Sequence, residues 1–132
     1  MTIKTGYKAL VAQAEAQVET ISVAEAMKIA DAEEVVFVDL RDIRELWREG
    51  KITGAKHVPR GMLEFWIDPE SPYHKPLFTE DKRFVFYCNL GWRSALAAQM
   101  AQVMGLEKVC HIGGGFDAWV QAGGPSEEVH KK

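Results

Sequence analysis

Apolar positions along this chain follow two different periods. Val35-Val36-Phe37-Val38 and Phe84-Val85-Phe86-Tyr87 are unbroken apolar runs, β-branched or aromatic throughout. Short runs of that kind predict strands buried on both faces. Lys108-Val109-Cys110-His111-Ile112 predicts a further strand, and Ala55-Lys56-His57-Val58 a short one. Between them the period lengthens. In Ile43-Arg44-Glu45-Leu46-Trp47-Arg48-Glu49 the residues Ile43, Leu46 and Trp47 share one helical face, and Gly50 can end the helix. Ser22-Val23-Ala24-Glu25 is a capping-box pattern: the Ser oxygen accepts from the backbone three residues on, and the Glu reaches back. It predicts a helix from about Val23 to Ala30. Gly6 to Val18, rich in Ala, Gln and Glu, predicts a peripheral helix. Met62 to Trp66 predicts a short helix after the Pro59-Arg60-Gly61 break. Asp68 to Pro76, with three prolines, predicts a surface loop. Ser94 to Met104 and Phe116 to Gln121 complete the helices.

Strands that alternate with helices predict an α/β fold: an open parallel β-sheet flanked by helices on both faces. In such sheets, sites gather at the carboxyl ends of strands. Asp39-Leu40-Arg41, Cys88 to Arg93 and Gly113-Gly114-Gly115 each follow a predicted strand and are expected at one edge.

Composition narrows the function classes. The 132 residues fit one domain, and 47% apolar content supplies a core. A net charge of −3 argues against a general nucleic-acid surface. No apolar run approaches the roughly 20 residues of a membrane span. Met1 to Tyr7 lacks the apolar centre of a signal peptide, so the cytoplasm is the expected compartment. Two cysteines, Cys88 and Cys110, are few for a secreted disulfide scaffold. His57, His74, His111 and His130 are scattered, with no Cys-x-x-Cys or His-x-x-x-His pair, so no metal site is expected.

The chemistry concentrates at Cys88. An apolar strand runs into this cysteine, then into a short Gly-containing loop, an Arg and a helix. Such a loop can turn its backbone N–H groups around one atom, and the helix adds the positive end of its dipole. That setting favours a nucleophilic anionic sulfur, or an anion carried on one. Asp39 and Arg41 are expected to pair and tie loops together, with Arg41 orienting an anionic donor as the alternative. Arg60 reads as an exposed loop charge or a donor contact. Trp92 reads equally as a docking surface or as a lid on the loop. Cys110 is expected to be a small buried hydrophobe, not a resolving thiol. His111 reads as structural, and Trp66 with Phe65 and Met62 as packing residues, with lining of the cleft as the alternative. The three glycines at 113–115 lack a following Lys-Ser/Thr, so they predict a tight turn and not a nucleotide loop.

Four stretches, taken in order, resemble the motifs of one family. Val38-Asp39-Leu40-Arg41 resembles Asp-Val-Arg. Gly50-Lys51-Ile52-Thr53-Gly54-Ala55-Lys56-His57-Val58-Pro59 resembles Gly-His-Ile-Pro-Gly-Ala-x-Asn-Ile-Pro. Cys88-Asn89-Leu90-Gly91-Trp92-Arg93-Ser94 resembles Cys-x-x-Gly-x-Arg-Ser. The run from Gly113 to Pro125 resembles Gly-Gly-aromatic-x-Ala-Trp, continuing to Ala-Gly-x-Pro. On these motifs, from roughly Ile21 to Pro125, the chain resembles the single-domain rhodaneses, which are sulfurtransferases. Lys51 stands where that family often has His, and Thr53 where it often has Pro. The resemblance implies a helical extension at 1–20, a rhodanese-like domain at 21–125 and a C-terminal tail at 126–132.

It also implies a reaction. Cys88 would be the catalytic nucleophile and carry sulfur as a persulfide. Asn89, Leu90, Gly91, Trp92, Arg93 and Ser94 would form the cradle for the anionic sulfur. Asp39, Arg41 and Arg60 would support the site or bind the donor. No cofactor is implied beyond the covalent persulfide, and no metal. The partners would be a small donor, thiosulfate or a persulfide, and an acceptor: a thiol, cyanide or a protein. Neither nucleic acid nor membrane is implied. Phosphatases of the same fold carry one residue more between Cys and Arg than the four here, and usually His where Tyr87 stands. A non-catalytic binding module and a small phosphatase are the alternative readings.

Overall fold

The computed structural model describes Met1 to Lys132. Its elements follow the chain as α1 (Tyr7–Glu15), β1 (Glu19–Ile21), α2 (Val23–Ile29), β2 (Val35–Asp39), α3 (Ile43–Glu49), β3 (Lys51–Ile52), β4 (Lys56–His57), α4 (Leu63–Ile67), β5 (Arg83–Tyr87), α5 (Trp92–Met104), β6 (Val109–Ile112), α6 (Gly115–Gln121) and β7 (Ser126–Glu127). Single 3-10 turns at Arg60–Met62 and Pro76–Thr79 bracket the proline-rich stretch.

Five strands form one sheet in the order β1-β6-β5-β2-β4, every pair parallel. Each central strand sends alternate side chains to opposite faces, and both faces are apolar. Val38, Phe84, Phe86 and Val109 face one side, where Leu63 of α4 and Ala97, Ala98 and Ala101 of α5 cover them. Phe37, Val85, Tyr87, Cys110 and Ile112 face the other, under Ala26 of α2 and Phe116 and Trp119 of α6. This is why the strands read as unbroken apolar runs. The alanines of α5 let that helix lie close on the sheet. Val11 and Ala14 of α1 pack on Ala95 of α5, so the N-terminal helix leans on the helix that follows Cys88.

The capping box forms as the sequence predicts: Ser22 Oγ accepts from the Glu25 N–H at 3.1 Å, and Glu25 Oε1 from the Ser22 N–H at 3.1 Å. Gly50 ends α3 at φ +79°. Three strands have no counterpart in the sequence reading. In β1 only Ile21 is buried, so the run carries no apolar pattern. The strands β3 and β7 pair antiparallel as a two-residue ribbon, with Ile52 opposite Ser126. Lys51 stabilises this ribbon. Its Nζ donates to the Ala55 carbonyl at 2.7 Å and meets Glu127 Oε1 at 3.2 Å, bridging the turn to β7.

Candidate active site

Cys88 follows β5 immediately and is 1% exposed. Two backbone bonds shape what comes next. The Cys88 carbonyl accepts from the Phe116 N–H at 2.8 Å, and the Asn89 carbonyl from the Asp117 N–H at 3.1 Å. With those carbonyls held by the first turn of α6, the loop turns its own amides the other way. The Gly91 N–H donates to Cys88 Sγ at 3.2 Å. Gly91 sits at φ +99°, a left-handed conformation that glycine adopts freely, and α5 starts at the next residue. First-turn amides of a helix have no intrahelical acceptor, so Trp92, Arg93 and Ser94 present free donors there. The positive end of the α5 dipole lies at the same place. Ser94 Oγ is 3.7 Å from Sγ. One loop amide thus bonds the buried sulfur, with the Ser94 hydroxyl and the start of α5 beside it.

Close approach at Gly115 makes this arrangement possible. A Cβ there would lie 2.5 Å from the Cys88 carbonyl oxygen and 2.6 Å from that of Asn89, at φ +59°. Gly115→Ala is expected to destabilise the protein by at least about 2 kcal/mol and to slow chemistry at Cys88. Thermal denaturation with iodoacetamide labelling checks this; wild-type behaviour in both would remove Gly115 from the account.

Arg93 bridges the loop to Glu45 of α3 and stays close enough to Cys88 to feel its sulfur. Its two terminal nitrogens grip Glu45 at 2.8 and 3.1 Å. That hydrogen bond, more than any other effect, keeps the guanidinium charged, with Cys88 a lesser influence. The same bond holds the Glu45 carboxyl below its ordinary value of 4.5. The sign for stability follows from that lowering. The pair's contribution is fully present above the unfolded value and fades as pH falls through the lower folded one. Glu45→Gln is expected to flatten the acid side of the stability profile between roughly pH 5 and 3, read as thermal midpoint against pH. An unchanged profile would mean that the fork contributes nothing in solution.

Behind the loop lies a fully buried ion pair. Arg41 Nη2 meets Asp39 Oδ2 at 2.7 Å and Nε meets Oδ1 at 3.0 Å. Nη2 also donates to the Gly50 carbonyl at 2.7 Å, and the guanidinium lies 4.3 Å over the Phe116 ring. The Tyr87 hydroxyl accepts from the Ile52 N–H at 3.1 Å, and burial holds that phenol far above its ordinary range. Asp39 and Arg41 thus tie the ends of β2 and α3 to α6, which in turn holds the Cys88 loop. Arg60 Nη1 is engaged by Glu64 at 2.9 Å, one helical turn along.

The rim is apolar. Leu90 and Trp92 are each 49% exposed. The Trp92 ring leans on Tyr7 of α1, with centroids 5.0 Å apart, so the N-terminal helix reaches the loop. Asn89 borders a cleft of about 230 Å³ with Glu49, Phe116, Asp117 and Val120. A further cleft, of about 440 Å³, lies between the end of α3 and the Ser126–His130 segment and holds no residue of the Cys88 loop. Phe65 is exposed, whereas Trp66 packs on the core of the α5 face.

Cys110 and His111 are both buried on β6. Burial pushes the Cys110 thiol up to about 11, which suits a packing residue. It pushes His111 down to about 4, so the imidazole is neutral near pH 7. His111 Nδ1 lies 2.9 Å from Ser94 Oγ, and Nε2 lies 2.9 Å from Thr20 Oγ1. Sequence reasoning missed this link. Thr20 and His111 stand 91 residues apart and Ser94 and His111 17; the pairing of β1 with β6 sets Thr20 beside the ring, and the packing of α5 on β6 brings Ser94 to its other side.

Comparison with known proteins agrees with this geometry. The rhodanese-like domain family matches residues 22–122. A sulfurtransferase of Allochromatium vinosum is 30% identical over 98 residues, covering 74% of this chain and 83% of that protein. A thiosulfate sulfurtransferase of Pseudoalteromonas translucida is 29% identical, covering 84% of this chain and 95% of the other. Among solved structures, a Rhodopseudomonas palustris protein of unknown function, described as a possible tyrosine phosphatase, superposes with a TM-score of 0.93. It is 56% identical and covers 96% of this chain and 98% of its own. Family match, relatives and parallel sheet agree: the chain belongs to the rhodanese-like sulfurtransferase family.

Proposed function

We propose that this protein transfers sulfane sulfur through a persulfide on Cys88. The observation that carries the reading is the donor-lined loop, with the Gly91 N–H on Sγ at 3.2 Å and the start of α5 beside it. The Cys88 thiolate attacks the outer sulfur of thiosulfate. A sulfur–sulfur bond forms to Cys88, the donor's own sulfur–sulfur bond breaks, and its electron pair leaves with sulfite. The product, Cys88–S–S⁻, bears its charge on the terminal sulfur, where the loop amides supply compensating dipoles. Cyanide or a thiol then attacks that sulfur and returns the Cys88 thiolate. The cycle needs no resident cofactor. Thiosulfate or a persulfide is the donor, and a small thiol, cyanide or a protein the acceptor. Two free thiols, and no helix long and apolar enough to cross a membrane, support a cytoplasmic setting.

The Rhodopseudomonas palustris relative makes phosphatase activity the second reading. Two features weigh against it. Four residues separate Cys88 from Arg93, a short span for enclosing a phosphate group. Arg93 is also held in a fork by Glu45, so it is not free to grip phosphate oxygens.

The test is intact mass before and after thiosulfate, then after cyanide, with an aryl phosphate assayed in parallel. The expected result is a gain of one sulfur atom that cyanide removes as thiocyanate. No gain from thiosulfate or from a persulfide donor, in folded protein whose Cys88 still alkylates, would leave a binding module. A burst of phenol from the aryl phosphate would put the phosphatase first.

A further inference from the structure

The proposed cycle gives no work to a fully buried, neutral histidine that joins two hydroxyls, one of them beside the reacting sulfur. We infer that His111 and Thr20 are positioning residues for Cys88, and that an anionic sulfur there selects the Nδ1–H tautomer of His111. The inference rests on the proposed function only in taking Cys88 as an anion-bearing sulfur.

The argument is a count of protons along a short chain. Ser94 Oγ touches Cys88 Sγ at 3.7 Å and His111 Nδ1 at 2.9 Å, and His111 Nε2 touches Thr20 Oγ1 at 2.9 Å. A hydroxyl has one proton, and a neutral imidazole has one. An anionic sulfur can only accept, so the Ser94 proton points to it. The Ser94 oxygen must then accept from Nδ1–H. That leaves Nε2 bare, and Thr20 donates to it. Every donor in the chain points toward Cys88. Without the charge the chain reverses: the Ser94 proton, with no anion to draw it, goes to Nδ1, and Nε2–H donates to Thr20. Burial keeps His111 neutral, so the two directions are distinct states. Because His111 is fully buried and Thr20 is exposed at the sheet edge, the chain ends at solvent.

A charge-assisted hydrogen bond raises the thiolate fraction by more than it dampens the sulfur's reactivity, so its loss slows alkylation at neutral pH. The experiment therefore measures iodoacetamide labelling of Cys88, followed by peptide mass, which requires no sulfur donor. Thr20→Val is expected to slow labelling by about threefold, and His111→Phe by about tenfold. His111→Asn keeps a donor near the Nδ1 position and is expected to return to within about twofold of wild type. Wild-type rates in Thr20→Val and His111→Phe, or a His111→Asn variant as slow as His111→Phe, would overturn the inference. Thr20→Val perturbs only an exposed edge position, so it decides the matter if His111→Phe does not fold. Nitrogen NMR of the labelled imidazole gives an independent reading. The proton is expected on Nδ1 in the reduced protein at alkaline pH, and on Nε2 in Cys88→Ala. The same tautomer in both would also overturn it. Neither measurement involves sulfur transfer, so its failure and that of the proposed function remain separable.

Discussion

Cys88→Ser is expected to take up no sulfur from thiosulfate while keeping the fold. A serine hydroxyl stays protonated near neutral pH, and no base is placed to remove its proton: His111 touches Ser94, not residue 88. The loss in loading rate is expected to exceed about 10³-fold. The fold should survive because the change is nearly isosteric in a site that is 1% exposed. A serine oxygen can still accept from the Gly91 N–H. Cys110→Ala is the companion variant. The Cys110 thiol is buried and pushed up to about 11, so it contributes little thiolate at neutral pH. Cys110→Ala is expected to load as wild type does. Intact mass and circular dichroism on both proteins check this. Sulfur on Cys88→Ser at the wild-type rate would move the nucleophile elsewhere and end the reading.

What could be read in advance, and what could not, divides along a physical line. Local rules wrote themselves into adjacent residues. Ser22 and Glu25 announced a helix start, Gly50 a helix end, and the apolar runs at Val35 and Phe84 two buried strands. Alternation of these elements then gave the sheet, and its carboxyl edge gave the place of Cys88. The missing parts rest on contacts between distant residues whose local sequence is unremarkable. Glu45 lies in the first turn of α3, with nothing to mark it as the partner of Arg93, 48 residues on. Gly115 reads as one glycine of three until the Cys88 and Asn89 carbonyls are seen against it. The ribbon of β3 and β7 is two residues long, too short to carry any period. The contact of Trp92 with Tyr7 is of the same kind: the two rings meet across 85 residues of sequence, and Trp92 stays half exposed.

Asp39→Asn is expected to cost stability on the scale of the whole fold. Arg41 is fully buried, and Asp39 supplies the only carboxylate bonded to it. Removing that charge leaves a buried cation uncompensated, a loss of about 3–5 kcal/mol. The remaining bond to the Gly50 carbonyl and the Phe116 ring offset only part of it, and Nη1 already has no protein acceptor. The urea midpoint should fall accordingly, with the slope unchanged. A shift of less than about 1 kcal/mol would mean that the pair is hydrated in solution. Asp39→Leu combined with Arg41→Met removes both desolvated charges and is expected to recover most of the loss. That double variant also separates the two roles open to Arg41. If the pair only ties β2 and α3 to the helix that holds the Cys88 loop, sulfur loading should return with the fold. If Arg41 steers an anionic donor, the protein should refold and still fail to load.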